Sequence, residues 1–176
     1  MLKQIFSLLF LTLSLSVCVA QDDDINSLII GEKYELATQK INNILIDNPL
    51  NMNARFQYAT ILSLTHKTDQ AIGEYNKILK DYPNTAEAYN NLGVLYSQQE
   101  LYEKSLQSFQ EAIFIKPRYN TAIENLGDLY IQMAFQSYRK VLANDINNES
   151  ALLKYIKTKS MSIELNTDNL QKIIKI

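Results

Sequence analysis

The three prolines of the chain, Pro49, Pro83 and Pro117, stand 34 residues apart. Proline has no N–H to donate and pushes the residue before it out of the helical region, so each one stops a helix. Equal spacing then means that one structural unit is written repeatedly. Between the prolines, apolar residues recur at helical intervals, as in Ala37, Ile41, Ile44 and Leu45 before Pro49, and Ala71, Ile72, Tyr75, Ile78 and Leu79 before Pro83. Such a period belongs to helices and not to strands. A chain with these two features is confined to an all-α array of helix pairs, in which each pair leaves an apolar face that the next must cover.

Composition matters at two points. With 176 residues, 47% of them hydrophobic, and four Gly and three Pro, the chain is ordered and helix-rich. A formal net charge of −2 without a basic stripe excludes nucleic acid as a partner. The first twenty residues form a separate segment, because Lys3, the apolar run Ile5 to Val17 and the small residues Cys18-Val19-Ala20 have the layout of a signal peptide. Cleavage before Gln21 leaves a chain of formal charge 16 − 19 = −3 without cysteine. Lipidation at Cys18 is the weaker alternative, since bulky Val17 precedes it. The apolar run is too short for a comfortable transmembrane span.

The array divides into a partial unit at 21–51, full units at 52–85 and 86–119, and a shortened unit at 120–148, followed by capping helices at 149–176. Asp22 to Asp24 place favourable charge at a helix start. In the first full unit, Ala54, Tyr58, Ile61 and Leu62 mark one helix, and Thr65 to Thr68 form a polar turn. Asn84 with Glu87, and Thr121 with Glu124, have capping-box spacing.

The unit at 86–119 is the most complete. It holds Tyr89, the pair Leu92-Gly93, Tyr96, Phe109, Ala112 and Pro117, with Ser105 where a small residue is wanted. One unit upstream the same places hold Arg55, Tyr58-Ala59, Leu62, Ala71, Tyr75, Ile78 and Pro83, and two units upstream Ala37, Ile41, Ile44 and Pro49. In these residues the chain resembles the tetratricopeptide repeat family, and is similar to secreted bacterial members of unassigned role. The resemblance implies a right-handed solenoid of helix–turn–helix pairs whose first helices line a concave groove. Small residues such as Gly93 and Ala112 then let helices approach, while Tyr89, Tyr96 and Phe109 fill the volume around them.

The fourth unit starts normally with Ile123, Leu126-Gly127 and Tyr130, but Ala134, Tyr138 and Val141 arrive about five positions early. Ile131-Gln132-Met133 contains no Gly, Asn or Asp to reverse the chain. A single fused helix over about 122–143 follows. Beyond it, an amphipathic helix from about Glu149 to Ser160, with Leu152, Leu153 and Ile156 inward, reads as a cap, and Asp168 to Ile176 as a short final helix.

No catalytic or metal-binding constellation emerges. His66 is the one histidine, it falls in a predicted turn, and it has no partner at metal-ligand spacing. The glycines are dispersed and form no phosphate loop. No cofactor, metal or small-molecule substrate is expected. The groove offers instead a row of carboxamides, since Gln57, Asn91 and Asn125 occupy one slot in three successive units and can donate to and accept from a peptide backbone. Asn53, Phe56 and Thr60, then Asn90 and Val94, then Thr121, Glu124 and Asp128 complete the predicted surface. Its slots lack the cations with which some family members clamp acidic peptide termini. The expected function is a non-catalytic scaffold of the cell envelope, most simply periplasmic, that holds a peptide or protein segment in the groove. The alternative is a structural or lipid-anchored accessory subunit of an envelope assembly that docks through its C-terminal helices.

Overall fold

Glu32, His66 and Glu100 have φ of 56°, 58° and 58°, and stand 34 residues apart. At each of them the chain turns from the first to the second helix of a pair. The N–H of the next residue reaches back five positions, from Lys33 to Leu28 O at 2.8 Å, Lys67 to Leu62 O at 2.9 Å and Leu101 to Tyr96 O at 2.9 Å. This is the Schellman closure of a helix end. A left-handed non-glycine residue costs roughly 1–3 kcal/mol, here offset by the closed turn and the packing of the pair.

The computed structural model describes residues 24–172, with side chains of the last helix described as far as residue 161. The predicted signal peptide, Cys18 and Asp22 and Asp23 lie outside the described residues. The pairs are α1 (Ile25–Ile30) with α2 (Tyr34–Asp47), α3 (Met52–Leu64) with α4 (Thr68–Asp81), and α5 (Ala86–Gln98) with α6 (Tyr102–Ile115), followed by α7 (Asn120–Asn144) and α8 (Glu149–Lys172). Between pairs the chain extends at the residue before each proline, with φ of −139° at Asn48, −132° at Tyr82 and −131° at Lys116. The fold is an all-α solenoid of the expected helix–turn–helix type.

Small buried residues mark where helices touch. Ala54, Ala88 and Ala122 on the first helices are at most 2% exposed, and Ala37, Ala71 and Ser105 on the second helices are fully buried. Ser105, the departure from the usual alanine, donates its hydroxyl to Gly93 O at 2.7 Å and so brings no unsatisfied group inside. Arg55, in an aromatic slot, pairs instead with Asp81 at the end of α4. The two predicted capping boxes do not form. The N-cap of α5 is Thr85, without a side-chain cap bond, and Glu87 pairs with Lys116 at 3.0 Å. Thr121 and Glu124 both fall inside α7, whose N-cap is Tyr119. Asn51 and Asn148 do cap, accepting from Ala54 N at 3.0 Å and Ala151 N at 2.9 Å.

The fused helix is present as α7, 25 residues long. Of the two grounds for it in the sequence, the early arrival of the second-helix residues is the effective one, and the lack of turn residues is not. The turns at His66 and Glu100 contain no Gly, Asn or Asp either. From Phe109 to Tyr138, and from Lys116 to Asp145, the offset is 29 rather than 34. Five residues are therefore gone, the equivalents of Glu100 to Lys104, which supply the left-handed residue and the first turn of the second helix. With no chain left to reverse, the first helix continues into the second. Asp145 still ends α7 at φ −143°, as Lys116 ends α6, although no proline follows it.

The deletion strands part of the fourth unit. A Cβ on Gly93 would stand 2.5 Å from the ring of Phe109, whereas one on Gly127, the same slot a unit later, would meet nothing within 4 Å. Tyr130 is 51% exposed and Ile123 45%. Gly127 and Tyr130, in slots that face the second helix in a complete unit, face solvent because that helix has become the continuation of their own. Gly127→Ala should therefore raise the unfolding free energy by about 1 kcal/mol, the ordinary helix-propensity difference, read as a higher midpoint in urea at unchanged slope.

One continuous helix, α8, replaces the two expected at the C-terminus. It docks through Ala151, 5% exposed, and through Tyr155, whose ring stacks on Phe135 at 5.0 Å. Leu152, Leu153 and Ile156, expected inward, are 42%, 62% and 54% exposed. Ala151 follows Ala122 by 29 residues, so α8 enters on α7 as the first helix of a further unit would, and that register turns the leucines outward.

Candidate functional site

All eleven residues predicted to line the groove lie on the first helices: Asn53, Phe56, Gln57 and Thr60 on α3, Asn90, Asn91 and Val94 on α5, and Thr121, Glu124, Asn125 and Asp128 on α7. Asn53, Thr121 and Glu124 are exposed, Gln57 and Asn90 are buried, and the rest are partly buried. Five of the eleven, with Tyr75, join into a polar seam that crosses three units.

The seam runs through Tyr75, a second-helix residue predicted only to pack. Its slot is that of Phe109 in the next unit, but its phenol reaches between α3 and α5. The Thr60 hydroxyl donates to Phe56 O at 3.0 Å and meets the Tyr75 hydroxyl at 3.1 Å, while Asn91 Nδ2 donates to that hydroxyl at 2.8 Å. Asn90 Nδ2 lies 3.3 Å from Asn91 Oδ1, and Asn125 Nδ2 donates to Asn90 Oδ1 at 2.8 Å. The ring of Phe56 stands edge-on to Tyr75 at 5.4 Å. Burial pushes the Tyr75 phenol up to about 12, against the smaller opposing pull of its bonds to Thr60 and Asn91. At neutral pH the phenol is a fixed dipole that sets α3, α4 and α5 in register.

The carboxamide row is therefore part of the framework. Gln57 Nε2 donates to Asn26 Oδ1 at 2.8 Å, and Asn91 and Asn125 donate within the seam. A carboxamide has two N–H donors and an acceptor oxygen, so each anchors one side to the protein and holds its other groups at fixed positions.

Beside the seam, where α1 and the start of α2 meet α3, lies a cavity of about 260 Å³. Phe56, Ile29 and Leu64 form apolar walls, and Asn26, Asn53 and Gln57 supply amides. Four predicted residues line it: Asn53, Phe56, Gln57 and Thr60. Asn26, Ile29 and Tyr34 were not foreseen. The signal for Asn26 was there, because one step of 34 back from Thr60 lands on it, in the slot that Val94 and Asp128 occupy downstream. Among the described residues no group of three or more His, Cys, Asp or Glu could hold a metal ion. No helix of the described residues is long and apolar enough to cross a membrane.

Residues 86–119 match the family model of the tetratricopeptide repeat. No curated protein matches the chain. Among solved structures, the chain is similar to YrrB, described as a TPR protein with an unusual peptide-binding site, with 28% identity and a TM-score of 0.53 over 57% of this chain. It spans 52% of the length of that structure. It shares its fold with pilF of Pseudomonas aeruginosa, at 22% identity and TM-score 0.58 over 85% of this chain and 71% of the other. It does so also with MamA, at 20% identity and TM-score 0.56 over 87% and 92%. One unit, residues 86–119, is a tetratricopeptide repeat, and its neighbours repeat its turns in a solenoid of the same type.

Proposed function

We propose that this solenoid is a tetratricopeptide-repeat protein, a non-catalytic scaffold of the cell envelope, which holds an extended peptide segment along its first helices. The observation that carries this reading is the cavity at α1–α3. Its aromatic and aliphatic walls suit one apolar side chain, and the fixed amides of Asn26, Asn53 and Gln57 at its edge suit the flanking peptide groups. Peptide binding by YrrB, the similar protein of 28% identity, supports the same use of the fold. Apart from the carboxylates of Glu32, Glu124 and Asp128, the polar groups of the surface are carboxamides, hydroxyls and a tightly held phenol, which exchange hydrogen bonds but are poor nucleophiles and bases. The envelope location rests on the charged, apolar and small-residue sequence of positions 1–20.

A random dodecapeptide display library supplies the probe. Panning on the purified protein should enrich sequences with one large apolar side chain, and Phe56→Ala should weaken the best of them by roughly 30-fold or more, the scale of a buried aromatic anchor. Fluorescence anisotropy with that peptide measures the effect. Absence of enrichment, or equal affinity for the Phe56→Ala variant at unchanged helicity, would sink the proposal.

A further inference from the structure

We infer that the protein forms a two-fold dimer through α7, in which each copy supplies the second helix that the fourth unit of the other lacks. In the α5–α6 pair, Gly93 meets Ser105 and Phe109, and Tyr89, Tyr96 and Ala112 stand one turn away on the same faces. The fourth unit retains both halves of this interface, as Ile123, Gly127 and Tyr130, then Ala134, Tyr138 and Val141. In a hairpin the halves would face each other. The five-residue deletion lays them end to end on one straight helix, where they point the same way and cannot meet.

The result is a continuous stripe on one face of α7, exposed at Ile123, Gly127, Tyr130 and Val141. Ile123, Tyr130 and Val141 are 45%, 51% and 40% exposed, and Gly127 looks into open space where Gly93 is filled by a ring. Its occupant is specified by the chain itself. A second α7, laid antiparallel, brings the second half of each copy onto the first half of the other. In the register of the α5–α6 pair, Gly127 then lies between Ala134 and Tyr138 of the second copy, as Gly93 lies between Ser105 and Phe109. Ile123 meets Val141 of the second copy at both ends. One contact implies the other, which is the self-complementarity that a two-fold interface requires, and loss of a hinge is a recognised route to exchange of elements between copies. At its C-terminal end the stripe borders α8, whose Lys154 lies over the Tyr138 ring at 5.7 Å, while the stacking of Phe135 on Tyr155 holds α8 beside it.

Analytical ultracentrifugation of the purified protein should give twice the monomer mass at tens of micromolar. Gly127→Leu should weaken the dimer at least tenfold while leaving helicity intact, because the new side chain enters open space in the single chain. Insertion of the five residues Glu-Leu-Tyr-Glu-Lys between Met133 and Ala134 should restore the hairpin and give a monomer. In a Cys18→Ser background, Ile123→Cys with Val141→Cys should cross-link on oxidation. These positions are about 27 Å apart along one helix, so a disulfide between them joins two chains. A monomeric protein at every concentration overturns the inference and leaves the stripe to a helix of another protein. So does a dimer that neither Gly127→Leu nor the insertion weakens, or that fails to cross-link.

Discussion

Phe109→Ala is expected to lower the unfolding free energy by about 3–5 kcal/mol, the range for a fully buried aromatic side chain. The ring is 1% exposed and fills the space beside Gly93, between the two helices of the third unit. Gly93→Ala, by contrast, adds a methyl 2.5 Å from that ring, which is held on all sides and cannot retreat. Overpacking of this kind costs about 1–3 kcal/mol, against about 1 kcal/mol gained in helix propensity. In the Phe109→Ala background the clash is gone, and Gly93→Ala should become neutral or stabilising. Urea denaturation of the four proteins in the cycle should show a coupling of about 1 kcal/mol or more. Strict additivity would mean that ring and glycine do not touch.

The second large effect is expected in alkali. The Tyr75 phenol is neutral when protonated, and its folded value of about 12 lies above the usual value near 10 because burial penalises the phenolate. Its contribution is therefore complete below pH ~10 and is lost as the pH rises towards 12, by roughly 2–3 kcal/mol for a shift of that size. Unfolding by urea at stepped pH, with phenolate absorbance followed in parallel, should show stability falling in this window as one tyrosine ionises late. Tyr75→Phe should remove this component, at a cost of about 1–2 kcal/mol at neutral pH, because Asn91 and Thr60 lose their buried partner. A wild-type pH profile that Tyr75→Phe does not alter would show that the phenol does not bind the three helices together.

Both effects arise from one slot of the repeat, and that slot shows how far the sequence could be read. Tyr75 and Phe109 were recognisable as large residues at the helix–helix contact because they stand 34 apart among apolar neighbours. The hydroxyl that separates them could not be placed, because its direction depends on how α3 and α5 lie over α4. The carboxamide row was equally legible as a row. Its engagement by Asn26, Tyr75 and Asn90 was not, since these partners come from other helices. The capping boxes failed for a related reason: spacing marks a possible cap, but at α5 the cap is Thr85, whose hydroxyl donates back to Tyr82 O, and Glu87 turned to Lys116.

The sequence by itself determined the class of fold, the length of the unit, the helix ends at the prolines and the loss of the fourth turn. All of these are local: a proline excludes a helical predecessor wherever it stands, and a chain five residues short cannot reverse. Only the tertiary structure decided which groups of those helices meet. It placed left-handed φ on Glu32, His66 and Glu100, set Tyr75 rather than the amides at the centre of the seam, and left Gly127 facing open space while Gly93 is filled. Such outcomes depend on the relative rotation and offset of whole helices, which close packing of the entire stack sets and no single segment encodes.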